Sequence, residues 1–165
     1  MKTILISVTD REISVVRFND VKKAQEKMKN ELYDCTDLEE DKYEIEENGM
    51  SAWANIDDGD MHCDWEIVKI DEEMKYLYIS VIDREIMTEQ YKTLEEAKEK
   101  LKSNFDFYIS LGCDDDYDDE YDEYESECEC EISESGMSAW ANADDGDVDC
   151  DWLIVEIDSE YIKAS

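Results

Sequence analysis

The 165-residue chain contains no proline, where average usage near 5% predicts about eight. Its loops therefore lack their usual stiffener. Basic residues are also scarce: 16 Lys and Arg stand against 49 Asp and Glu, a formal charge of −33. Such an excess repels DNA, RNA and anionic lipid surfaces, which excludes direct nucleic-acid binding and membrane attachment through a basic patch. The partners it implies are cations or basic protein surfaces. No apolar run approaches the roughly 20 residues that span a bilayer, and the opening MKTILISVTDREI has no h-region or cleavage site. The expectation is a soluble, cytoplasmic protein. His62 is the single histidine, and no nucleophile elbow, phosphate-cradling Gly loop or dinucleotide fingerprint occurs. The chain is accordingly expected to be no enzyme and to need no cofactor.

Charge this high usually accompanies disorder, yet 4 Trp, 10 Tyr, 3 Phe and 42% hydrophobic residues suffice for a packed core. The chain is also duplicated. Ile6 to Ile13 (ISVTDREI) matches Ile79 to Ile86 (ISVIDREI) at seven of eight positions with an offset of 73. Gly49 to Asp71 (GMSAWANIDDGDMHCDWEIVKID) matches Gly136 to Asp158 (GMSAWANADDGDVDCDWLIVEID) at 18 of 23 with an offset of 87. The second copy thus carries 14 additional residues between the two blocks.

Ile4, Ile6 and Val8, like Leu77, Ile79 and Val81, alternate as in a half-buried strand. Turns at Asp10-Arg11 and Asp83-Arg84 should reverse the chain. Val21, Ala24, Met28 and Leu32, matched by Leu94, Ala97, Leu101 and Phe105, then mark one face of a helix. Asp20 and Thr93 sit at N-cap positions, and Thr93 with Glu96 has the spacing of a capping box. A short strand around Tyr43 and Ile45, or Cys128, Cys130 and Ile132, precedes a hairpin of Ser51 to Ile56 and Cys63 to Ile70. Its turn falls at Asp58-Gly59, or Asp145-Gly146 in the copy. In the last strand Trp65 and Ile67 lie on one side and Val68 and Ile70 on the other. The expected fold is α+β: two tandem ββαββ-type repeats, residues 1–74 and 75–165, each an antiparallel sheet with one helix. They pack as an intramolecular pseudo-dimer, with an acidic insertion around 109–127 in the second.

Identity between the copies is uneven, 4 of 15 in the helix against 18 of 23 in the hairpin block. Two accounts fit. Either the large buried areas of Trp53, Trp65, Trp140 and Trp152 and a Gly turn restrain the hairpin, or Asn55, Asp57, Asp58, Asp60 and Asp64 with their copies form a repeated binding surface. Clustered carboxylates and an amide oxygen suit a hard cation, although the spacing is not that of an EF-hand. Six cysteines without an export signal read as thiols. Cys113, Cys128, Cys130 and Cys150 number enough for zinc, but lack C-x-x-C spacing, and inward strand positions account for the Cys128/Cys130 pair. No metal site is assigned.

The sharpest signal is the charge distribution. Between Lys102 and Lys163 there are 60 residues with 22 Asp and Glu and no Lys or Arg. Within Asp114 to Glu134, 13 of 21 residues are acidic. Cys113, Tyr117, Tyr121, Tyr124 and Cys128 recur at helical spacing, so the run reads either as a helix docked by a Tyr stripe or as a solvated acidic loop. As a helix it would carry about one charge per 2.4 Å, comparable with duplex DNA at about one per 1.7 Å. The expected function is a nucleic-acid mimic that blocks the basic groove of a nucleic-acid-binding enzyme. Its partner-binding residues would be Asp114, Asp115, Asp116, Tyr117, Asp118, Asp119, Glu120, Tyr121, Asp122, Glu123 and Tyr124, with Asp144, Asp145 and Asp147 at the hairpin tip. The alternatives are a calcium-type cation-binding protein using the duplicated Asn/Asp turns, or an acidic adaptor or immunity partner of a basic protein. In size, acidity and lack of catalytic motifs the chain resembles phage and mobile-element proteins that antagonise CRISPR nucleases or restriction enzymes. The order hairpin, helix with a central Ala, and closing Asp64-Trp65-x-Ile67-Val68-x-Ile70 resembles small uncharacterised acidic proteins of bacteria and their mobile elements. That second resemblance spans most of both repeats and implies no particular activity.

Overall fold

Period-two alternation and a single amphipathic helix generate each half of the chain. The structure is a computed structural model, and it describes residues 2–9, 12–37, 41–56, 61–112, 129–143 and 148–158. Two compact units divide it: Met1–Met74 with Glu156–Ser165, and Lys75–Val155.

In the first unit β1 (Lys2–Thr9) and β2 (Glu12–Phe18) are followed by α1 (Val21–Cys35), then β3 (Lys42–Ile45), β4 (Ser51–Ile56) and β5 (Met61–Ile70). The sheet order is β2-β1-β5-β4-β3. The pairings β1–β2, β1–β5, β3–β4 and β4–β5 are all antiparallel. This is a ββαβββ unit, one strand more than ββαββ. The strand that the ββαββ label leaves out is the four-residue edge strand β3, the short strand expected around Tyr43 and Ile45.

Asp20 caps α1, its carboxylate accepting from Lys22 N at 3.0 Å. The buried stripe Ala24, Met28 and Leu32 lies on Leu5, Ala52, Ala54, Ile56, Cys63, Trp65 and Ile67 of the sheet. Because side chains alternate, Ile4, Ile6, Val68 and Ile70 belong to the opposite face, and they too are buried. The expected half-buried β1 is therefore buried on both faces. Its intervening residues Thr3, Leu5 and Ser7 are the helix-facing ones, and small hydroxyl side chains had made that face look solvated.

The second unit repeats the plan: β6 (Tyr76–Ile82), β7 (Glu85–Tyr91), α2 (Leu94–Gly112), β8 (Glu129–Ile132), β9 (Ser138–Ala143) and β10 (Val148–Glu156), in the order β7-β6-β10-β9-β8. The capping box forms as expected: Glu96 N donates to Thr93 Oγ1 and Thr93 N to Glu96 Oε2, both at 3.3 Å. The β6–β7 turn places Asp83 and Arg84 at φ 51° and 70°, the pair of left-handed residues that a two-residue hairpin requires. At 19 residues α2 exceeds the 15 of α1, so it runs into the first four positions of the stretch expected to be insertion.

The loop before β4 explains much of the identity between repeats. Gly49 and Gly136 both adopt φ 65°, and a Cβ on Gly49 would lie 2.9 Å from Gln25 Nε2. Gln25 Nε2 donates to Gly49 O at 3.1 Å, while Lys98, the equivalent helical residue, donates to Ser135 O at 2.5 Å. Met50 O and Met137 O accept from Ile67 N and Ile154 N, each at 2.7 Å. Ala52 and Ala54, with Ala139 and Ala141, are buried where the helix crosses the sheet. Trp65 and Trp152 are buried with them, whereas Trp53 and Trp140, expected to be buried as well, point to the other face and are half-buried.

Candidate functional site

The acidic residues singled out from sequence, Asp114 to Tyr124 with Asp144, Asp145 and Asp147, lie outside the described residues, as do Asp57, Asp58 and Asp60. The flanking elements locate them along the chain. Residues 113–128 join α2 to edge strand β8, and 144–147 join β9 to β10.

Within the described residues the most developed site is a cavity of about 360 Å³ in the first unit. Ser7, Thr9 and Ser14 from β1–β2, Glu31, Asp34 and Cys35 from α1, and Met61, Cys63 and Trp65 from β5 line it. Cross-strand register sets Ser14, Ser7 and Trp65 in one row on the helix side. The carboxylate of Glu31 organises the row: Oε2 accepts from Ser7 Oγ at 2.9 Å and from Trp65 Nε1 at 3.0 Å, while Oε1 pairs with Lys27 Nζ at 3.0 Å. Two neutral donors and one cation thus satisfy a partly buried charge. At the end of α1, Leu32 O accepts from Thr36 N (3.1 Å), Thr36 Oγ1 (2.7 Å) and Cys35 Sγ (3.2 Å), which closes the helix. Burial, followed by the neighbouring Cys63, pushes the Cys35 thiol up to about 11, so it is protonated at neutral pH.

The second unit replaces this arrangement. Asn104 stands where Glu31 does, and its Nδ2 donates at 2.8 Å to the hydroxyl of Tyr78, which replaces Leu5. Burial raises the Tyr78 phenol to about 12 despite hydrogen bonds to Asn104 and Ser80. Trp152 Nε1, the counterpart of Trp65 Nε1, is buried without a hydrogen-bond partner among the described residues. Its ring instead packs against Phe105 and Tyr108, at centroid distances of 5.9 and 5.8 Å.

On the opposite sheet face of the first unit, His62 lies between two polar residues. Its Nε2 is 2.8 Å from Asp64 Oδ2 and its Nδ1 contacts Asn55 Oδ1. Asn55 and Asp64 are the described members, in this unit, of the polar set expected at the hairpin, and both engage His62. Beside them, Glu44, Glu46, Glu47 and Asn48 line a shallow depression. The carboxyl of Glu66 is raised above its ordinary range, first by burial and then by Glu46.

Of the suggested zinc ligands, Cys130 and Cys150 lie within the described residues, on different strands. Cys130 and Cys150 both pair with Ala141, one from each side, which sets them two strand spacings or about 9.6 Å apart. Side chains standing perpendicular to the sheet keep the two sulfurs near that spacing, whereas thiolates sharing one ion at about 2.3 Å each must come within about 4 Å. Cys113 and Cys128 lie outside the described residues. Cys130, expected to face inward, is exposed, because β8 is an edge strand in which only Ile132 receives cover. The other described cysteines, Cys35, Cys63 and Cys150, are likewise in no disulfide. Among the described residues no group of three or more His, Cys, Asp or Glu is arranged to hold a metal ion.

Chemically, the cavity offers hydroxyls, two carboxylates and two thiols, but no imidazole faces it, since His62 alternates to the opposite side. The Ser7 hydroxyl is held by a carboxylate already occupied by two other groups. Glu31 was not singled out from sequence; its only signal was the exchange with Asn104 inside an otherwise poorly matched helix. Among the described residues no helix is long and apolar enough to cross a membrane. Comparison with protein-family models, with curated proteins and with solved structures finds no match, so the case for function rests on the chain itself.

Proposed function

We propose that this protein is a non-enzymatic nucleic-acid mimic that inhibits a nucleic-acid-binding enzyme of host defence, a CRISPR effector or a restriction nuclease, by occupying its basic groove. One observation carries the reading: 60 consecutive residues hold 22 carboxylates and no lysine or arginine. A basic groove evolved to neutralise phosphates meets a comparable linear charge, and long-range attraction makes association fast and salt-sensitive. Asp114 to Glu120 and Asp122, Glu123, Asp144, Asp145 and Asp147 supply the charge. Tyr117, Tyr121 and Tyr124 supply aromatic anchors. The depression lined by Glu44, Glu46 and Glu47 adds a carboxylate surface on the first unit.

The same reading takes the two repeats as an intramolecular pseudo-dimer carrying an acidic insertion in its second half. Its support is that each sheet has one helix, while the other face carries a buried aliphatic group, Ile4, Ile6, Val68 and Ile70 in the first repeat and Leu77, Ile79, Val155 and Ile157 in the second.

The test is competition. A basic nuclease captured from a bacterial lysate at low salt and released at high salt should lose its nucleic acid when this protein is in molar excess. Replacing Asp118, Asp119, Asp122 and Glu123 by their amides should weaken inhibition about tenfold or more. Undiminished nucleic-acid binding by the captured enzyme would overturn the proposal.

A further inference from the structure

The cavity of the first unit contains two cysteines from different elements. Cys35 is the last residue of α1 and Cys63 lies near the start of β5, and both line the cavity. After burial, Cys63 is the neighbouring side chain that most affects the Cys35 thiol. Exposure separates them: Cys35 is half-buried, while Cys63 is 1% exposed. The pair is confined to this unit, because Tyr108 and Cys150 occupy the equivalent positions of the second. We propose that Cys35 and Cys63 form a redox-active dithiol that closes to a disulfide on reaction with a low-molecular-weight disulfide, tying the end of α1 to β5.

The geometry assigns the roles. Cys35, reachable through the cavity, attacks one sulfur of glutathione disulfide as its thiolate and expels one glutathione thiolate, leaving a mixed disulfide. Cys63, which lines the same cavity, then attacks the Cys35 sulfur and expels the second glutathione. Two protein thiols lose two electrons and two protons; the glutathione disulfide gains both and becomes two thiols. Both thiols line one cavity, and the link closes a 28-residue segment of chain.

The surroundings set the pace. Glu31 and Asp34 on α1, Asp41 ahead of β3 and Cys63 on β5 are the titratable groups around Cys35, and neither lysine nor arginine lines the cavity. Lys27 is directed to Glu31. Burial first, then Cys63 and lastly Asp41 hold the attacking thiol protonated, so the reaction accelerates about tenfold per pH unit from neutral pH upward. The pair therefore resists brief oxidant exposure near neutrality and closes under sustained or alkaline oxidation.

The full-length chain, incubated with glutathione disulfide at about pH 9, acid-quenched and peptide-mapped, tests this. The expected result is a Cys35–Cys63 linked peptide, an intact mass lower by two hydrogens for that link, and a Tm raised by roughly 5 to 10 °C. In the C35S variant Cys63 should stay alkylatable after unfolding. A persistent glutathione adduct on Cys35, with Cys63 still a thiol, would overturn the proposal, as would linkage of either residue to another cysteine. Wild-type mapping decides the matter even if C35S fails to fold.

Discussion

Glu31 and Asn104 occupy one helical position in the two repeats and treat the tryptophan beneath them differently. Trp65 Nε1 has a carboxylate acceptor, whereas Trp152 Nε1 has no partner among the described residues. Trp65→Phe should therefore lose both packing and a charge-assisted hydrogen bond, while Trp152→Phe loses packing alone. The first substitution is expected to be more destabilising by about 1 to 2 kcal/mol, measured by urea unfolding of the two variants. Glu66 supplies a second residue-level contrast, because the second repeat has Leu153 there. Burial raises the Glu66 carboxyl in the folded state, so its protonated form is favoured; the associated stability is present at low pH and lost as pH rises through the raised value. Glu89 acts in the opposite sense. Hydrogen bonds from Lys100 and Tyr91 lower it, so its contribution is present at neutral pH and lost on acidification. Glu66→Leu should accordingly raise Tm at pH 7 and narrow the gap between melts at pH 7 and pH 5. An unchanged gap would place the titration elsewhere.

Among elements, the helices have sharply defined starts. Thr93→Ala removes one half of the capping box and frees Glu96 from its reciprocal bond, so a loss of about 1 kcal/mol is expected in thermal melts followed by circular dichroism. Those starts were legible in the sequence because capping is local, and most strands were legible because alternation is local. What escaped depended on neighbours. Thr3 and Ser7 made one side of β1 look wet, although they are small enough to sit beneath α1 and Ser7 finds a carboxylate there. Cys130 looked inward because alternation cannot distinguish an edge strand from an interior one. The Glu31 cluster escaped for a related reason: a glutamate on a charged helix reads as solvated until the sheet supplies Ser7 and Trp65. The acidic sites proposed for partner binding lie outside the described residues, so their legibility rests on charge and spacing alone.

At the scale of the whole molecule, a charge of −33 on 165 residues makes self-repulsion a standing opponent of folding. Raising sodium chloride from about 0.01 M to about 0.5 M shortens the Debye length from about 30 Å to roughly 4 Å. Tm should rise by a few degrees across that range in differential scanning fluorimetry; a fall would mean that local ion pairs outweigh the repulsion. The sheet order β2-β1-β5-β4-β3 acts over time as well as space. Every β1 partner on β5 lies 54 to 68 residues further along the chain. A hairpin forms in microseconds, but a ribosome adding 5–20 residues per second delivers the second neighbour of β1 only about 3 to 14 s later. During that interval the nascent chain holds a two-stranded ribbon with Ile4 and Ile6 uncovered and one long edge open to another nascent chain. Slowing translation between codons 20 and 60 would lengthen the exposure and lower soluble yield, while leaving the stability of the finished protein unchanged.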